Sequence, residues 1–187
     1  ASDVYKRQEV YKPTYITQHT LNLTGGSEVG RYLVSFDYLD QPGLVKNTEY
    51  QRYSYRVNTD LNIGKMLKVS SDVTYRHVDR LWPESLGSVQ YDVWSMQPTS
   101  PVRYENGDYR LDKQNRNAIS LMDLDVVGED RYNMDVVYGQ VKADFEPIKD
   151  LVFTGMASLN GSWDRRKIHY KNYKYYNEAG ELVTQRN

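Results

Sequence analysis

The sequence alternates polar and apolar residues with a period of two over several separate stretches. In the clearest stretch, 52–61, every second residue from Tyr53 to Leu61 is aromatic, aliphatic or threonine, and every residue between them is polar or charged. Successive side chains of a β-strand point to opposite faces of a sheet, so this pattern predicts a strand with one apolar and one polar face. Six strands are predicted in this way, at about 17–24, 31–39, 52–61, 67–76, 132–145 and 151–164.

The connections between the predicted strands alternate between short and long. The short connections are 25–30, 62–66 and 147–150. The long ones are 40–51, 77–130 and 165–187. In an up-and-down antiparallel sheet, this alternation makes one end compact and elaborates the other, as in outer-membrane β-barrels with tight periplasmic turns and long extracellular loops. A soluble β-sandwich has period-two strands as well, but nothing requires its long loops to lie at one end.

The charged residues of the predicted strands fall on their polar sides. In a membrane-spanning barrel, an Arg or Lys that faces lipid near the bilayer midplane costs roughly 2–4 kcal/mol. A register slip of one residue would turn the whole polar set toward lipid. The residues predicted to face the lumen are therefore Arg52, Arg56, Lys68, Asp72, Arg76, Lys142 and Asp144.

Composition excludes several functional classes. The 24 basic and 25 acidic residues give no electrostatic basis for nucleic-acid binding. The absence of cysteine excludes a disulfide scaffold, a thiolate zinc site and a cysteine nucleophile. A mean hydropathy of -0.77 argues against a transmembrane helix, whereas a transmembrane strand needs only about ten residues. No catalytic constellation stands out, so neither enzymatic activity nor a cofactor is predicted.

Several motifs, taken together, resemble the beginning of the barrel in SusC/RagA-type TonB-dependent transporters. They are the Gly25-Gly26 turn, Tyr38-Leu39-Asp40-Gln41-Pro42-Gly43, the stretch from Lys46 to Ser54, Met66-Leu67-Lys68-Val69 and Met96-Gln97-Pro98-Thr99-Ser100-Pro101-Val102. The resemblance covers roughly residues 9–164.

The resemblance implies an all-β fold, in which antiparallel up-and-down strands form part of a transmembrane barrel of about 22 strands. It also implies a plug domain, energy supplied through TonB, a SusD-like surface lipoprotein as partner, and oligosaccharides or peptides as ligands. The expected location is the outer membrane of a Gram-negative, Bacteroidota-like bacterium, in contact with its lipid. The plug and signal peptide are expected outside these 187 residues. Residues 1–8 resemble translated sequencing-adapter sequence, so the partial barrel domain is taken as 9–187.

The predicted long loop 77–130 concentrates aromatic residues among glycines and prolines. Aromatic faces beside polar groups suit sugar rings and peptide chains, and they also suit packing against the barrel or a partner. The candidate ligand-binding residues are Trp82, Tyr91, Trp94, Tyr104 and Tyr109.

Other candidate sites favour plainer interpretations. The three histidines His19, His77 and His169 have no metal-binding spacing. The acidic group Asp123, Asp125, Glu129 and Asp130 does not match a calcium loop and is interpreted as solvated, so no metal site is predicted. Two alternative functions stay open on the sequence: a soluble or surface-attached β-sandwich that binds carbohydrate, and a TonB-dependent receptor for siderophores or cobalamin.

Overall fold

A computed structural model describes residues 8–96, 101–111, 117–177 and 179–186 of the chain. Six strands form one antiparallel sheet in the order of the sequence. They are Thr17–Gly26 (β1), Gly30–Asp40 (β2), Glu49–Ile63 (β3), Leu67–Pro83 (β4), Gly128–Ile148 (β5) and Leu151–Tyr170 (β6). The predicted all-β, up-and-down fold is confirmed. The sheet is not closed, because β1 and β6 each have a single neighbour within the described chain.

A second sheet contains only the hairpin of Tyr173–Tyr176 (β7) and Leu182–Arg186 (β8). The six long strands thus lie in one layer rather than in two packed sheets. This arrangement does not fit the β-sandwich alternative, in which two sheets bury a common core.

Tight turns connect the strands at one end of the sheet, called here the hairpin end. The turns are residues 27–29, 64–66 and 149–150. Gly64 and Asp150 adopt left-handed backbone conformations, with φ of 65° and 69°, which tight reversals of this kind often require. All long connections lie at the opposite end, called here the loop end.

The strands are longer at the loop end than the alternation predicted. β4 continues to Pro83, β5 begins at Gly128 and β6 continues to Tyr170, so the long loop spans 84–127 instead of 77–130. The predicted loop 165–187 therefore begins as strand and continues as the β7–β8 hairpin.

The long loop contains helices that the period-two pattern did not predict. They are Leu86–Ser95 (α1), the 3-10 turn Ser120–Met122 and Leu124–Val127 (α2). In the part of the chain that the structure describes, no helix has the length and apolarity needed to cross a membrane.

The hydrophobic core lies among the loops and not in the sheet. Its buried members are Val10, Val89, Val93, Met96, Tyr109, Ala118, Ile119, Met122, Val126 and Val127. We call the described residues of 8–12, 43–48, 84–127 and 171–186 the cap. Within the described sheet, Val78 and Pro83 at the loop end of β4 are buried, and Val78 is 5% exposed.

Candidate functional site

The two faces of the sheet differ strongly between the hairpin end and the middle of the strands. We name them after two adjacent residues of β3, the Val57 face and the Arg56 face. Cross-strand pairs such as Val34, Val57 and Val73 share one face, and Ser35, Arg56 and Thr74 share the other. Large apolar side chains are exposed along the Val57 face. They include Leu21, Leu23, Val34, Tyr55, Val57, Leu61, Val73, Val141, Phe145, Phe153 and Leu159.

A row of mostly aromatic residues crosses all six strands at the upper edge of this apolar band. Registered from β1 to β6, the row is His19, Tyr38, Tyr53, His77, Asp135 and Trp163. The ring centroids of its first four members lie 6.4, 5.0 and 6.3 Å apart in succession. Asp135 accepts hydrogen bonds from Tyr75 Oη at 2.6 Å and His77 Nδ1 at 2.7 Å.

The height of the apolar band matches a membrane. Along β4 the band runs from Leu67 to His77, about ten residues or ~34 Å at the usual rise of a strand. With a strand tilt of about 40°, its height is about 26 Å, close to the outward apolar band of outer-membrane barrels, which is also flanked by aromatic girdles.

Two glycines make room for large aromatic rings on the Val57 face. A Cβ on Gly25 would lie 2.5 Å from the hydroxyl of Tyr32, and one on Gly161 would lie 2.8 Å from the ring of Trp163. Both rings therefore cover a glycine, a known way of protecting exposed glycine backbone in sheets.

Beyond the aromatic row, toward the loop end, the Val57 face becomes polar, and the Arg56 face carries both apolar and charged residues. On the Val57 face the next registered row is Asp40, Gln51, Asp79, Asn133 and Arg165. On the Arg56 face, apolar residues such as Val78 and Trp82 take the place of polar ones, because the cap covers this part of the sheet.

All the predicted lumen residues lie on the Arg56 face. The register relates Arg52 to Val78, Arg56 to Thr74, Arg76 to Val136, Asp72 to Gln140 and Lys68 to Asp144, and Lys142 lies on the same side. They are exposed or half-buried, and several of them form polar contacts across this face. Arg52 Nη2 bonds to Asp37 at 3.1 Å and Lys142 Nζ bonds to Asp144 at 2.9 Å. A groove of about 440 Å³, lined in part by Asp60, Asp72 and Lys142, lies along this network.

A second charged network lies where the Arg56 face meets the cap. Arg166 donates two hydrogen bonds to Asp130, at 2.9 and 2.7 Å, and Arg80 lies 3.7 Å from the same carboxylate. The Arg80 guanidinium also stacks on Trp82, 3.9 Å from the ring centroid. The sequence pattern did not predict this network, because its residues lie in the predicted loops 77–130 and 165–187, which the structure shows as strand at these positions.

The five predicted ligand-binding aromatics do not form one site. Trp82 lies in β4, not in a loop, and lines a largely apolar cavity of about 710 Å³ between sheet and cap. Tyr91 and Trp94 lie on α1 and are 65% and 67% exposed. Tyr104 lies next to the turn at Gly107 and has Arg110 over its ring.

Tyr109 is a core residue of the cap. It is 5% exposed, donates a hydrogen bond to Asp123 at 2.7 Å and lies under the Arg103 guanidinium at 3.7 Å. Burial, and secondly the hydrogen bond to Asp123, raises the pKa of Tyr109 well above its usual value. Its ring borders a polar cavity of about 590 Å³ that Lys46 and Arg103 also line.

The acidic group contacts separate partners, and the prediction that it is solvated is wrong for Asp130, which is 6% exposed in its pair with Arg166. Asp123 accepts from the Asp125 backbone at 2.9 Å and so caps α2, while Asp125 pairs with Lys171 at 2.7 Å. The Lys171 ammonium lowers the pKa of Asp125. In the described ranges, no three His, Asp or Glu side chains lie in an arrangement that could hold a metal ion.

The motif residues around Gly43 stabilise the loop between β2 and β3. The Gly43 N–H donates to Thr48 O at 2.9 Å, and the Thr48 side chain occupies the space in which a Cβ on residue 43 would lie. Asn47, with φ of 59°, donates to Met122 O at 2.8 Å and so connects this loop to the cap. Residues 97–100 of the predicted Met96–Val102 motif lie outside the described residues.

A single antiparallel meander with an apolar band, an aromatic row and long loops at one end has the form of a segment of a large β-barrel wall. Comparisons with known proteins agree. Two TonB-dependent receptors of Formosa agariphila are similar: one is 32% identical over 98 residues, which cover 52% of this chain and 10% of the relative. The other is 33% identical over 67 residues, 36% of this chain and 7% of the relative. No protein-family model matches.

Solved structures give the same fold. The RagAB peptide importer in its closed-closed state matches with a TM-score of 0.69 and 20% identity, over 86% of this chain and 19% of that one. A second structure, of the RagAB peptide transporter, matches with a TM-score of 0.67 and 21% identity. The comparisons support the resemblance seen in the motifs: the chain is similar in sequence to segments of TonB-dependent receptors and has the fold of part of the RagAB importer. It spans a tenth or less of the length of the curated relatives that it matches.

Proposed function

We propose that this chain forms part of the wall and extracellular loops of an outer-membrane, TonB-dependent importer of oligosaccharides or peptides, acting with a SusD-like surface lipoprotein. The observation that carries the proposal is the apolar band of the Val57 face, bounded by the aromatic row. An exposed band of this height is costly in water and is stabilised by lipid. The hairpin end then faces the periplasm and the loop end faces the outside.

On this proposal the Arg56 face lines the lumen and faces the plug domain. Its predicted lumen residues, from Arg52 to Asp144, offer cations and carboxylates to plug side chains and to polar ligands in transit. Ligand held by the extracellular loops, the lumen and the lipoprotein would pass inward when TonB displaces the plug. The family resemblance supports the lipoprotein partner and the energy source.

The exposed aromatics of the cap are the proposed ligand contacts. Tyr91 and Trp94 lie three residues apart on α1, so their rings lie on one side of the helix. Aromatic faces of this kind suit the apolar faces of sugars and the side chains of peptides. Tyr109 would act instead by holding the cap together.

The orientation of the wall can be tested in the full-length protein with single cysteines at Val57 and Asn58. This chain contains no cysteine of its own. A lipid-soluble maleimide should label position 57, and a water-soluble maleimide that enters the lumen should label position 58. The protein should also migrate faster on a gel before heating than after. If both positions react equally with the water-soluble reagent, or if migration does not change on heating, the barrel wall is wrong.

The cargo and partner can be tested by deletion in the source organism. We expect loss of growth on one class of oligosaccharide or peptide as sole nutrient, and co-purification of a surface lipoprotein with the tagged receptor. Loss of growth only under iron or cobalamin limitation would instead support the siderophore or cobalamin alternative.

A further inference from the structure

A cluster of bases lies on the Val57 face immediately beyond the aromatic row. It consists of Arg131 on β5 and Arg165, Lys167 and His169 on β6, and we call it the basic patch. The register pairs Asn133 with Arg165 in the first row of this face beyond Asp135 and Trp163, and Arg131 with Lys167 in the second. All four bases are exposed.

The charges of this rim are separated along the sheet. On β2 to β4 the same level carries the acids Asp40, Glu49 and Asp79. β6 contributes only bases on this face above Trp163. Within the described residues, Arg165 and Lys167 form no salt bridge, so their charges are available to an external anion.

The acids closest to the basic patch are already engaged. Glu129 pairs with Arg131 at 3.7 Å. Asp135 accepts hydrogen bonds from Tyr75 and His77, on the β4 side and away from β6, and Arg165 adds an electrostatic attraction. The β6 edge of the rim is therefore its most basic part.

The basic patch lies at the level of lipid headgroups if the apolar band contacts acyl chains. Arg165 and Lys167 lie two and four residues beyond Trp163, about 7 and 14 Å along the strand. A tilt of about 40° reduces these to about 5 and 10 Å of height, within or just beyond the headgroup layer outside the hydrocarbon core.

We infer that the basic patch binds the phosphate-bearing headgroup of an outer-leaflet lipid, whose acyl chains lie against the apolar band below. Arginine and lysine are the side chains that bind phosphate in lipid headgroups, arginine with two parallel hydrogen bonds. The Trp163 ring at the boundary provides the amphipathic surface that the interface favours. This inference rests on the proposed function, because only a membrane-spanning barrel brings these residues beside lipid.

The test uses the full-length protein in neutral detergent, with diphosphoryl lipid A as the probe. The variant Arg165→Gln with Lys167→Gln removes two cations from the basic patch. The matched control, Lys65→Gln with Lys149→Gln, removes two cations from the turns at the hairpin end. A cation near an anionic surface is worth about a fivefold change in affinity, so the patch variant should bind about 25-fold more weakly. The control should bind as the wild type does.

Three outcomes would overturn the inference: equal binding by the patch variant and the wild type, an equal loss in the control, or displacement of the lipid by millimolar inorganic phosphate. The first two exclude a site at the patch, and the third indicates a site for free anion. Dephosphorylated lipid A should bind as weakly to the wild type as lipid A does to the patch variant. Heat-modifiable migration on a gel distinguishes failure of the proposed barrel from failure of the proposed lipid site at the basic patch. If the wild type lacks it, both the barrel and the patch are wrong; if it is present and patch substitution has no effect, the patch alone is wrong.

Discussion

The sheet and the cap differ in whether their apolar side chains are buried. The cap has a buried core in which Val89, Met122 and Val127 are 1 to 2% exposed. The sheet has far more regular structure than the cap but leaves Val57 and Val73 38% and 45% exposed at its centre. The cap therefore obtains its stability from its own side chains, as a soluble domain does. The sheet depends on what surrounds it, which on our proposal is lipid on one side and the plug on the other.

The largest expected effect comes from placing charge at the centre of the Val57 face. Val57 and Val73 are directly paired, so Val57→Arg with Val73→Arg places two like charges together at the middle of the band. At about 2–4 kcal/mol for each Arg facing lipid near the midplane, the cost is roughly 4–8 kcal/mol. We expect little or no assembled, heat-modifiable protein.

The control for this pair is the neighbouring pair on the other face. Asn58→Arg with Asp72→Arg introduces the same side chains one residue away, at registered positions of the Arg56 face. Assembly should persist, because this face is already polar and, on our proposal, lines the lumen. If both double variants assemble equally well, the distinction between the faces is refuted.

Truncating a cap residue should loosen the cap without disassembling the barrel. Met122 is 2% exposed, so Met122→Ala removes buried methylene contacts and should cost the cap about 2–5 kcal/mol. Hydrogen exchange across 118–127 should accelerate, while heat-modifiable migration stays unchanged. Met156→Ala is the matched control, because Met156 is 66% exposed on β6. Equal acceleration in both variants would contradict the separate stability of the cap.

A smaller effect is expected from the hydroxyl of Tyr109. Tyr109→Phe keeps the ring under Arg103 but removes the hydrogen bond to Asp123, at a cost of about 1 kcal/mol to the cap. Because the pKa of Tyr109 is raised in the folded cap, the unfolded chain loses the proton first as the pH rises. This contribution to stability is therefore present below the ordinary pKa of 10.0 and decreases above it.

The alkaline loss of cap stability should be less steep in Tyr109→Phe than in the wild type. Burial also raises the pKa of Tyr173, which retains part of the effect in the variant. Tyr104→Phe, in the same turn, should leave the wild-type dependence unchanged. The rate of proteolysis of the long loop between pH 9 and 11 would measure this loss of cap stability. Identical dependence of that rate on pH in Tyr109→Phe and the wild type would refute the role of the Tyr109 hydroxyl.

The smallest effect is expected at the exposed pair of Asp125 and Lys171. Asp125→Asn should leave the stability of the cap at neutral pH unchanged within error, because exposed ion pairs contribute little. Lys171 lowers the pKa of Asp125, so any contribution is present at neutral pH and lost as the pH falls below the ordinary value of 3.8. A large neutral-pH loss, measured by hydrogen exchange, would show that the pair is structural.

The centres of the strands could be predicted from sequence, and their loop ends could not. From Leu67 to Arg76 the faces of β4 keep a constant polarity, so period two is visible. After His77 the cap covers Val78 and Trp82, while Asp79 on the other face leaves the apolar band. The polarity of the two faces therefore changes along β4. A prediction that assumes one constant polar face ends this strand too early.

The packed core of the cap could not be predicted from the sequence for a different reason. Val89, Val93 and Met96 have the spacing of a helix face, a local signal that was available in the sequence. Their partners were not visible, because Val10, Tyr109 and Val127 are far away in the chain. The five aromatics grouped by their nearness in sequence are for the same reason separated in space.

The shared core of the cap also determines how these loops can diverge. Ser120 in the long loop bonds to Tyr175 of the β7–β8 hairpin at 2.8 Å, and Asn47 bonds to Met122 O. A long loop transplanted alone from a relative would thus arrive without the residues that complete its interior. We therefore expect that the four segments must be exchanged together for the cap to keep its interior, whereas substitutions at exposed positions such as 91 and 94 leave that interior intact.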